Sequence, residues 1–316
     1  MTKVSLVVPY SKNSSPRDLG KLVSSIASQT YEDIEAIVVS DTDYTSQDFT
    51  QPWLRFVSSK SIRGASAARN HGAKLAKGEI LGFLDDDVVL DPCWCEEAVN
   101  SFEDERVGAV SGESLVPVES YGLDCIPKSL MWVVGGSYWN SSKPIAVRGG
   151  AGMNFAVKKE VFDRVGGYNQ RFGPRGDRPE VNHWDRLGAE ETDLALRISR
   201  ECSKIVLFNP YMKVSHKLRR ESASIVGIVK RAMHVGRNRA YIRSTYGDAG
   251  FESDYFALTG LCCELTDTLT KFSVDPLLAW KRFSFSAIVL LGICLGYSSS
   301  ILAFRSHLSS VDWSRT

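Results

Sequence analysis

Residues 64–90, GASAARNHGAKLAKGEILGFLDDDVVL, open with small residues in a helical pattern and close on an apolar strand that runs into three consecutive carboxylates, Asp85, Asp86 and Asp87. A continuous apolar strand is one buried on both faces, as in a parallel sheet covered by helices. Carboxylates crowded at the carboxyl edge of such a strand repel one another and must take up protons or recruit a cation. Oxygen ligands select a hard divalent ion, Mg²⁺ or Mn²⁺, and such an ion commonly carries a phosphate group with it. The stretch therefore predicts a metal–diphosphate site at the end of a helix-covered sheet.

Working outward, strands are expected at 4–8, 34–39, 55–57 and 80–84, with helices at 16–28 and 65–76 between them. Ser15-Pro16 starts the first helix with a cap and a first-turn proline. This alternation indicates an α/β, doubly wound fold with a mostly parallel sheet. Ligands in such folds bind beyond the carboxyl ends of the strands, where Asp41 and the Asp85 to Asp87 cluster fall. Farther along, helices are expected at 93–102 and 159–165 and strands at 107–111, 154–157 and 204–208, while 120–152 reads mostly as loop with short strands. The polar stretch 171–187 reads as a long functional loop leading into a helix near Glu190.

The 38 basic residues nearly cancel the 37 acidic ones, so no global field points to nucleic acid. The amino terminus runs straight into a strand pattern without the features of a secretory signal, which places the body of the protein in the cytoplasm. The 7 cysteines are scattered; Cys93-Trp94-Cys95 and Cys262-Cys263 lack zinc-ligand separations, and all read as reduced, mostly packed thiols. Residues 283–304 form a run of 22 without a charge, flanked by Lys281-Arg282 and Arg305. Such a run is a candidate transmembrane or membrane-dipping helix, with a buried core helix as the alternative. Lys281 and Arg282 favour a cytoplasmic position for what precedes it. Upstream, Lys230, Arg231, Arg237, Arg239 and Arg243 recur among apolar residues in a helical pattern. That helix suits an anionic membrane or a lipid phosphate, the alternative being a solvated helix packed on the domain.

Four motifs, VSLVVPYSKN, the stretch quoted above, RGGAGMNFAVKKEVFDRVGGYNQRFG and GAEETDLALRIS, occur in this order. Together they resemble inverting glycosyltransferases of family 2 with the GT-A fold, over residues 3–220. The resemblance implies a nucleotide-sugar donor, most simply a UDP-sugar, across the carboxyl ends of the first strands. Pro9 and Tyr10 would border the base, and Asp41 would accept a hydrogen bond from the uracil. The family commonly has two acids followed by Gly-Ser here, whereas this chain reads Ser40-Asp41-Thr42-Asp43, so Asp43 is a substitute candidate. Arg69 and Asn70 would lie close to the donor, although Arg69 taken alone reads as a solvated helix charge. Asp85, Asp86 and Asp87 match the family's DXD element, with Asp85 at the ribose or metal shell and Asp87 on the divalent ion. His216 matches a histidine that completes metal or diphosphate binding. Of the acidic pair Glu190-Glu191, Glu191 would be the catalytic base and Glu190 would assist it; taken alone, both read as acids at a helix start. Met153 or Asn154 would face the acceptor sugar, and Trp184 and Trp139 would stack on sugar rings.

The expected organisation is a GT-A catalytic domain at 1–220, divided near 112 into nucleotide and acceptor halves. A helical extension at 221–282 and the apolar segment at 283–305 follow. The expected activity is metal-dependent inverting transfer of a hexosyl group from a nucleotide sugar to a hydroxyl of a glycan or polyprenyl-linked saccharide, at the cell membrane with the catalytic domain on the cytoplasmic side. Two alternatives stand beside it: a polyprenyl- or dolichyl-phosphate sugar synthase, and a non-catalytic nucleotide-sugar-binding scaffold.

Overall fold

The computed structural model describes residues 2–41, 49–58, 64–170, 188–247 and 274–310, together with 266, 268, 270 and 272. Asp43, the loop at 171–187 with Trp184, and Cys262-Cys263 lie outside the described residues. Two compact units divide the chain, one built from Met1–Val116 and Trp139–Lys217, the other from Pro117–Tyr138 and Leu218–Thr316. The division at Lys217 lies close to the expected end at 220, but Pro117–Tyr138 groups with the carboxyl-terminal helices.

In the first unit, strands β1 (Val4–Tyr10), β2 (Ile34–Ser40), β3 (Leu54–Ser58) and β4 (Ile80–Leu84) alternate with helices α1 (Pro16–Ala27) and α2 (Ala65–Leu75). Then come β5 (Val88–Leu90), α3 (Trp94–Ser101), β6 (Val107–Leu115), β7 (Ile145–Val147), β8 (Asn154–Lys158), α4 (Lys159–Arg164), α5 (Glu190–Cys202) and β9 (Ile205–His216). The sheet order is β3-β2-β1-β4-β8-β6-β9-β5, with β7 pairing β9 off this path. Parallel pairing joins β3, β2, β1 and β4, so their carboxyl ends share one edge. Strand β8 then pairs antiparallel with both β4 and β6, which turns the parallel half into a mixed sheet.

The period of two along each strand divides the core between the faces. Leu6 and Val8 enter one cluster with Leu22, Val38 and Trp94, while Val7 enters the other with Ile37, Phe83 and Phe155. Each such fully buried side chain contributes about 1.5–3 kcal/mol by leaving water. Gly82 matters here: a Cβ at that position would lie 2.7 Å from Leu6 Cδ2 and 2.8 Å from the Trp94 ring. Only a bare backbone lets the indole lie against β4.

Strand β9 is longer than expected because it continues past Asn209-Pro210. Its pairing with β6 shifts register between Gly112 and Glu113, whose partners are Asn209 and Lys213. The irregularity takes up Pro210, which has no N–H to give to a ladder. Asn209 Oδ1 accepts from the Tyr211 N–H at 2.8 Å within the same irregularity.

The second unit holds 3₁₀ turns at Val118–Tyr121 and Lys128–Val134, then α6 (Arg220–Ala223), α7 (Ile225–Tyr246) and α8 (Pro276–Ser310). Ser224 caps α7 by accepting from the Gly227 N–H at 3.0 Å, and Asp275 accepts from Leu278 N–H at 2.9 Å at the start of α8. Within α8, Pro276–Leu302 is long and apolar enough to cross a membrane by length and composition.

Candidate active site

The shared carboxyl edge of β1, β2 and β4 positions the first candidates. Asp41 follows β2, and its Oδ1 accepts from the Lys12 N–H at 3.2 Å, fixing the turn after β1. Tyr10 is 6% exposed and belongs to the core cluster, with Pro9 only partly buried beside it. Directly after β4 come Asp85, Asp86 and Asp87. Burial pushes Asp86 up to about 6, against a hydrogen bond from Ser14 that holds it down, and its two acidic neighbours push the same way. Burial is the main cause and the repulsion of Asp87 and Asp85 a smaller one, and a cation beside the triplet would oppose both.

Strand pairing then brings in a residue from far along the chain. Strand β5 pairs antiparallel with β9 so that Val88 lies opposite His216. His216 Nε2 thereby comes within 3.5 Å of Asp87 Oδ1, both side chains being mostly buried. The other ring nitrogen, Nδ1, is buried without a hydrogen-bond partner among the described residues. A carboxylate and an imidazole converging at a strand end fit a divalent ion. Among the described residues no group of three or more such side chains converges. Two protein ligands suit Mg²⁺ or Mn²⁺, which are usually held by one or two protein groups plus substrate phosphates.

The centre of the site is Arg69, on α2, whose side chain is 3% exposed. The solvated charge that this residue suggests in isolation is thus a buried one. Its Nη2 donates to Asp85 Oδ1 at 2.8 Å and to the Gly152 carbonyl at 3.2 Å. Its Nη1 donates to Glu191 Oε1 at 3.2 Å and lies 3.5 Å from Glu190 Oε1. One guanidinium fork therefore ties the acidic triplet to the start of α5. Desolvation opposes the charge on Arg69, yet Asp85 and the two glutamates outweigh it and raise its pKa.

Both glutamates are almost fully buried in the first turn of α5. Burial first, and then the charge of Glu190, pushes Glu191 up to about 8 against the pull of Arg69. Glu190 is raised too, by burial, with Arg69 opposing. One cation facing two buried glutamates and Asp85 leaves a proton to be held within the pair, and the two titrate together.

Tyr168, to which the sequence gives no role, and Gly152 both fall inside the third motif. The Tyr168 ring lies under Arg69, with the guanidinium carbon 5.4 Å from its centroid, and packs edge-on against Phe83 at 5.0 Å. Burial raises its hydroxyl well above the ordinary value, so it stays neutral. Gly152 lies where a Cβ would fall 2.7 Å from Glu191 Cδ and 2.9 Å from Arg69 Nη2. Gly152→Ala is accordingly expected to displace the Glu191 carboxylate. A drop of about tenfold or more in turnover should accompany an overpacking loss of about 1–3 kcal/mol, read from steady-state rates and urea unfolding of the same preparation.

Two expected site residues have other work. Asn154 is 0% exposed: its Oδ1 accepts from Trp94 Nε1 at 2.7 Å, and its Nδ2 donates to the carbonyls of Glu113 at 2.9 Å and Met212 at 3.0 Å. The amide expected to face a sugar is thus engaged in the interior by Trp94 of α3 and by carbonyls of β6 and β9. Asn70 Nδ2 donates to the Tyr168 carbonyl and its Oδ1 accepts from the Tyr168 N–H, both at 2.8 Å, so its amide holds the Arg69 neighbourhood in place. Met153 packs partly buried against the core, and Trp139 lies 5.5 Å from Phe208 in a tilted ring pair.

Residues 5–166 match the family profile described as Glycosyl transferase family 2. The chain is 26% identical over 318 residues to the glucosyl-dolichyl phosphate glucuronosyltransferase of Haloferax volcanii, covering 96% of this chain and 99% of that one. It is 29% identical over 173 residues to an Escherichia coli UDP-Glc:alpha-D-GlcNAc-diphosphoundecaprenol beta-1,3-glucosyltransferase, covering 51% of this chain and 61% of that one. Among solved structures, a mannosyltransferase from Pyrobaculum calidifontis in complex with GDP-Man and Mn²⁺ superposes with a TM-score of 0.57 at 17% identity, over 94% of this chain and 87% of that one.

Proposed function

The chain belongs to glycosyl transferase family 2, and from that premise we propose that it transfers a sugar, with inversion, from a UDP-sugar to a hydroxyl of a lipid-linked saccharide. The observation that carries the proposal is the Arg69 fork, which joins Asp85 at 2.8 Å to Glu191 at 3.2 Å. In-line displacement needs the leaving diphosphate and the attacking hydroxyl on opposite sides of the sugar. A carboxylate beside the acidic triplet, and separated from it by a cation, supports that arrangement.

Glu191 is the proposed base: raised to about 8, it has the basicity to take a proton from an acceptor hydroxyl near neutral pH. Arg69 keeps that carboxylate at a set position, and Glu190 shares its proton. Asp87 and His216, with Asp85 nearby, would hold a divalent ion, which as a Lewis acid supplies stabilisation of the charge that develops on the diphosphate. Asp41 and the backbone that it anchors at Lys12 would border the nucleotide base. A lipid-linked saccharide is supported by the two relatives, a glucosyl-dolichyl phosphate glucuronosyltransferase and a glucosyltransferase named for a diphosphoundecaprenol-linked sugar. A lipid-phosphate acceptor, the second reading, would leave Glu191 with no proton to remove. Membrane association, with the first unit on the cytoplasmic side, goes with such an acceptor.

The test is mass-spectrometric product analysis of the purified chain in lipid, given Mn²⁺ or Mg²⁺, pooled nucleotide sugars and a polyprenyl-linked acceptor extract. A metal-dependent product one sugar heavier than an acceptor saccharide, absent with Asp87→Ala, is expected. A lipid-monophosphate sugar as the sole product would instead select the second reading, and donor binding without any product would sink both.

A further inference from the structure

The second unit holds a helix pair that the chemistry above leaves unexplained. Neither α7 nor α8 contains a carboxylate, whereas α7 carries Lys230, Arg231, Arg237, Arg239 and Arg243, and α8 carries Lys281, Arg282 and Arg305. The two helices meet through small residues. A Cβ on Gly292 would lie 2.8 Å from Ala232 Cβ and 3.4 Å from the Val229 carbonyl, one on Gly296 would collide with the Met233 carbonyl, and one on Gly236 would lie 2.8 Å from Tyr297 N. Arg243 Nη1 donates to the Tyr297 hydroxyl at 2.9 Å across the same contact.

The buried stripe of α8 is Ala279, Ser286, Val289, Gly292 and Gly296, while Leu277, Trp280, Phe283, Leu291, Leu295 and Leu302 are exposed. A helix of a water-soluble protein buries its large apolar side chains and exposes the small and polar ones. Here the order is reversed, which is how helices pack when the surrounding solvent is itself apolar.

The direction of the pair decides how α8 meets that solvent. Val229 lies at Gly292 and Met233 at Gly296, so each helix advances four residues between contacts and both run the same way. If α8 stood upright across a hydrocarbon core of about 30 Å, the α7 residues level with its second half would enter the core beside it. By the same register Lys230, Arg231, Arg237 and Arg239 lie level with residues 293–302 of α8, within its apolar run, and Lys230 and Arg231 are exposed. Charges at that depth are strongly disfavoured. With α8 lying flat the conflict disappears, since its large apolar side chains sink into the acyl boundary while the cations stay at headgroup level.

We propose that α7 and α8 form an in-plane anchor on an anionic phospholipid bilayer, with α8 lying in the interface rather than crossing it. The absence of carboxylates from both helices makes the surface complementary to phosphate headgroups. This assignment does not depend on the transferase reading.

Flotation of the full-length chain with vesicles of phosphatidylcholine, with or without phosphatidylglycerol, tests it. Binding should be at least about tenfold stronger with phosphatidylglycerol, and an alkaline carbonate wash should release the protein. Leu291→Asp combined with Leu295→Asp, and separately Lys230→Glu combined with Arg231→Glu, should each weaken binding by about tenfold or more with an unchanged circular dichroism spectrum. All four positions are exposed, and the two independent pairs guard against misfolding of either. Resistance to carbonate would overturn the proposal in favour of a spanning helix. Failure to float together with concentration-dependent dimers would make the apolar face a contact between copies of this chain, and equal binding to both vesicle types would remove the role of the cations.

Discussion

Arg69→Met is expected to lower the unfolding free energy by about 3–5 kcal/mol near pH 8, with transfer falling below detection. The side chain removed is 3% exposed and is shared by Glu190 and Glu191, whose side chains are 10% and 11% exposed. Methionine restores most of the volume, so the loss comes from carboxylates left without their cation and not from a cavity. Asp85, at 38% exposed, can turn to water and adds little. The sign of the pH dependence follows. Without Arg69 the glutamates are held further above their unfolded values, so the folded state keeps protons that the unfolded chain releases. Stability of the variant therefore falls as pH rises above about 4.5, and the gap to the parent widens towards pH 8. Urea unfolding of both proteins near pH 5 and near pH 8 measures this directly. A gap of the same size at both would mean that Arg69 serves as packing and not as a counterion. Arg69→Lys should recover part of the stability and little of the transfer, because an ammonium lacks the planar fork that reaches Asp85 and Glu191 together.

That Arg69 is the hub could not be read from the helix that carries it. The sequence shows an arginine in a small-residue helix, and its burial depends on Gly152, Tyr168 and the start of α5, all remote in the chain. The same limit applies to His216, because the last expected strand, 204–208, stops at Phe208 well short of it. Its approach to Asp87 depends on β9 running on past Pro210 to pair with β5, a three-residue strand with no signal of its own. The parallel half was legible for the opposite reason. Strands β1, β2 and β4 are buried on both faces, so each announces itself as an apolar run, and the intervening helices carry local caps such as Ser15. The segment 117–138 folds into 3₁₀ turns, which have no periodicity long enough to detect. Asn154 carries a structural duty that its motif does not announce: its three hydrogen bonds tie β8 to β6, to β9 and to Trp94 of α3.

Glu191→Gln separates the chemistry of the site from its stability. Transfer to a hydroxyl acceptor should fall by about 10²–10⁴-fold, because the amide occupies the same space, still accepts from Arg69 and cannot take a proton. In the parent, the rate at limiting acceptor should climb with pH towards an apparent value near 8, the range to which burial and Glu190 push Glu191. The residual rate of the variant should have lost that limb. Stability moves the other way. A carboxyl whose folded pKa is raised from 4.5 to about 8 holds a proton in the folded state that the unfolded chain gives up across that interval. Stability of the parent is thus eroded as pH rises from about 4.5 to 8. Glutamine removes the ionisation, so the variant should be the more stable protein at pH 8, by on the order of a few kcal/mol, and nearly equal to the parent below pH 4.5. An inactive variant that gains stability only on the alkaline side identifies a buried carboxylate kept ionisable for use, at a cost to the fold. A variant with full transfer would exclude Glu191 as the base, and one that loses stability at every pH would mean that its pairing with Arg69 is worth more than its desolvation.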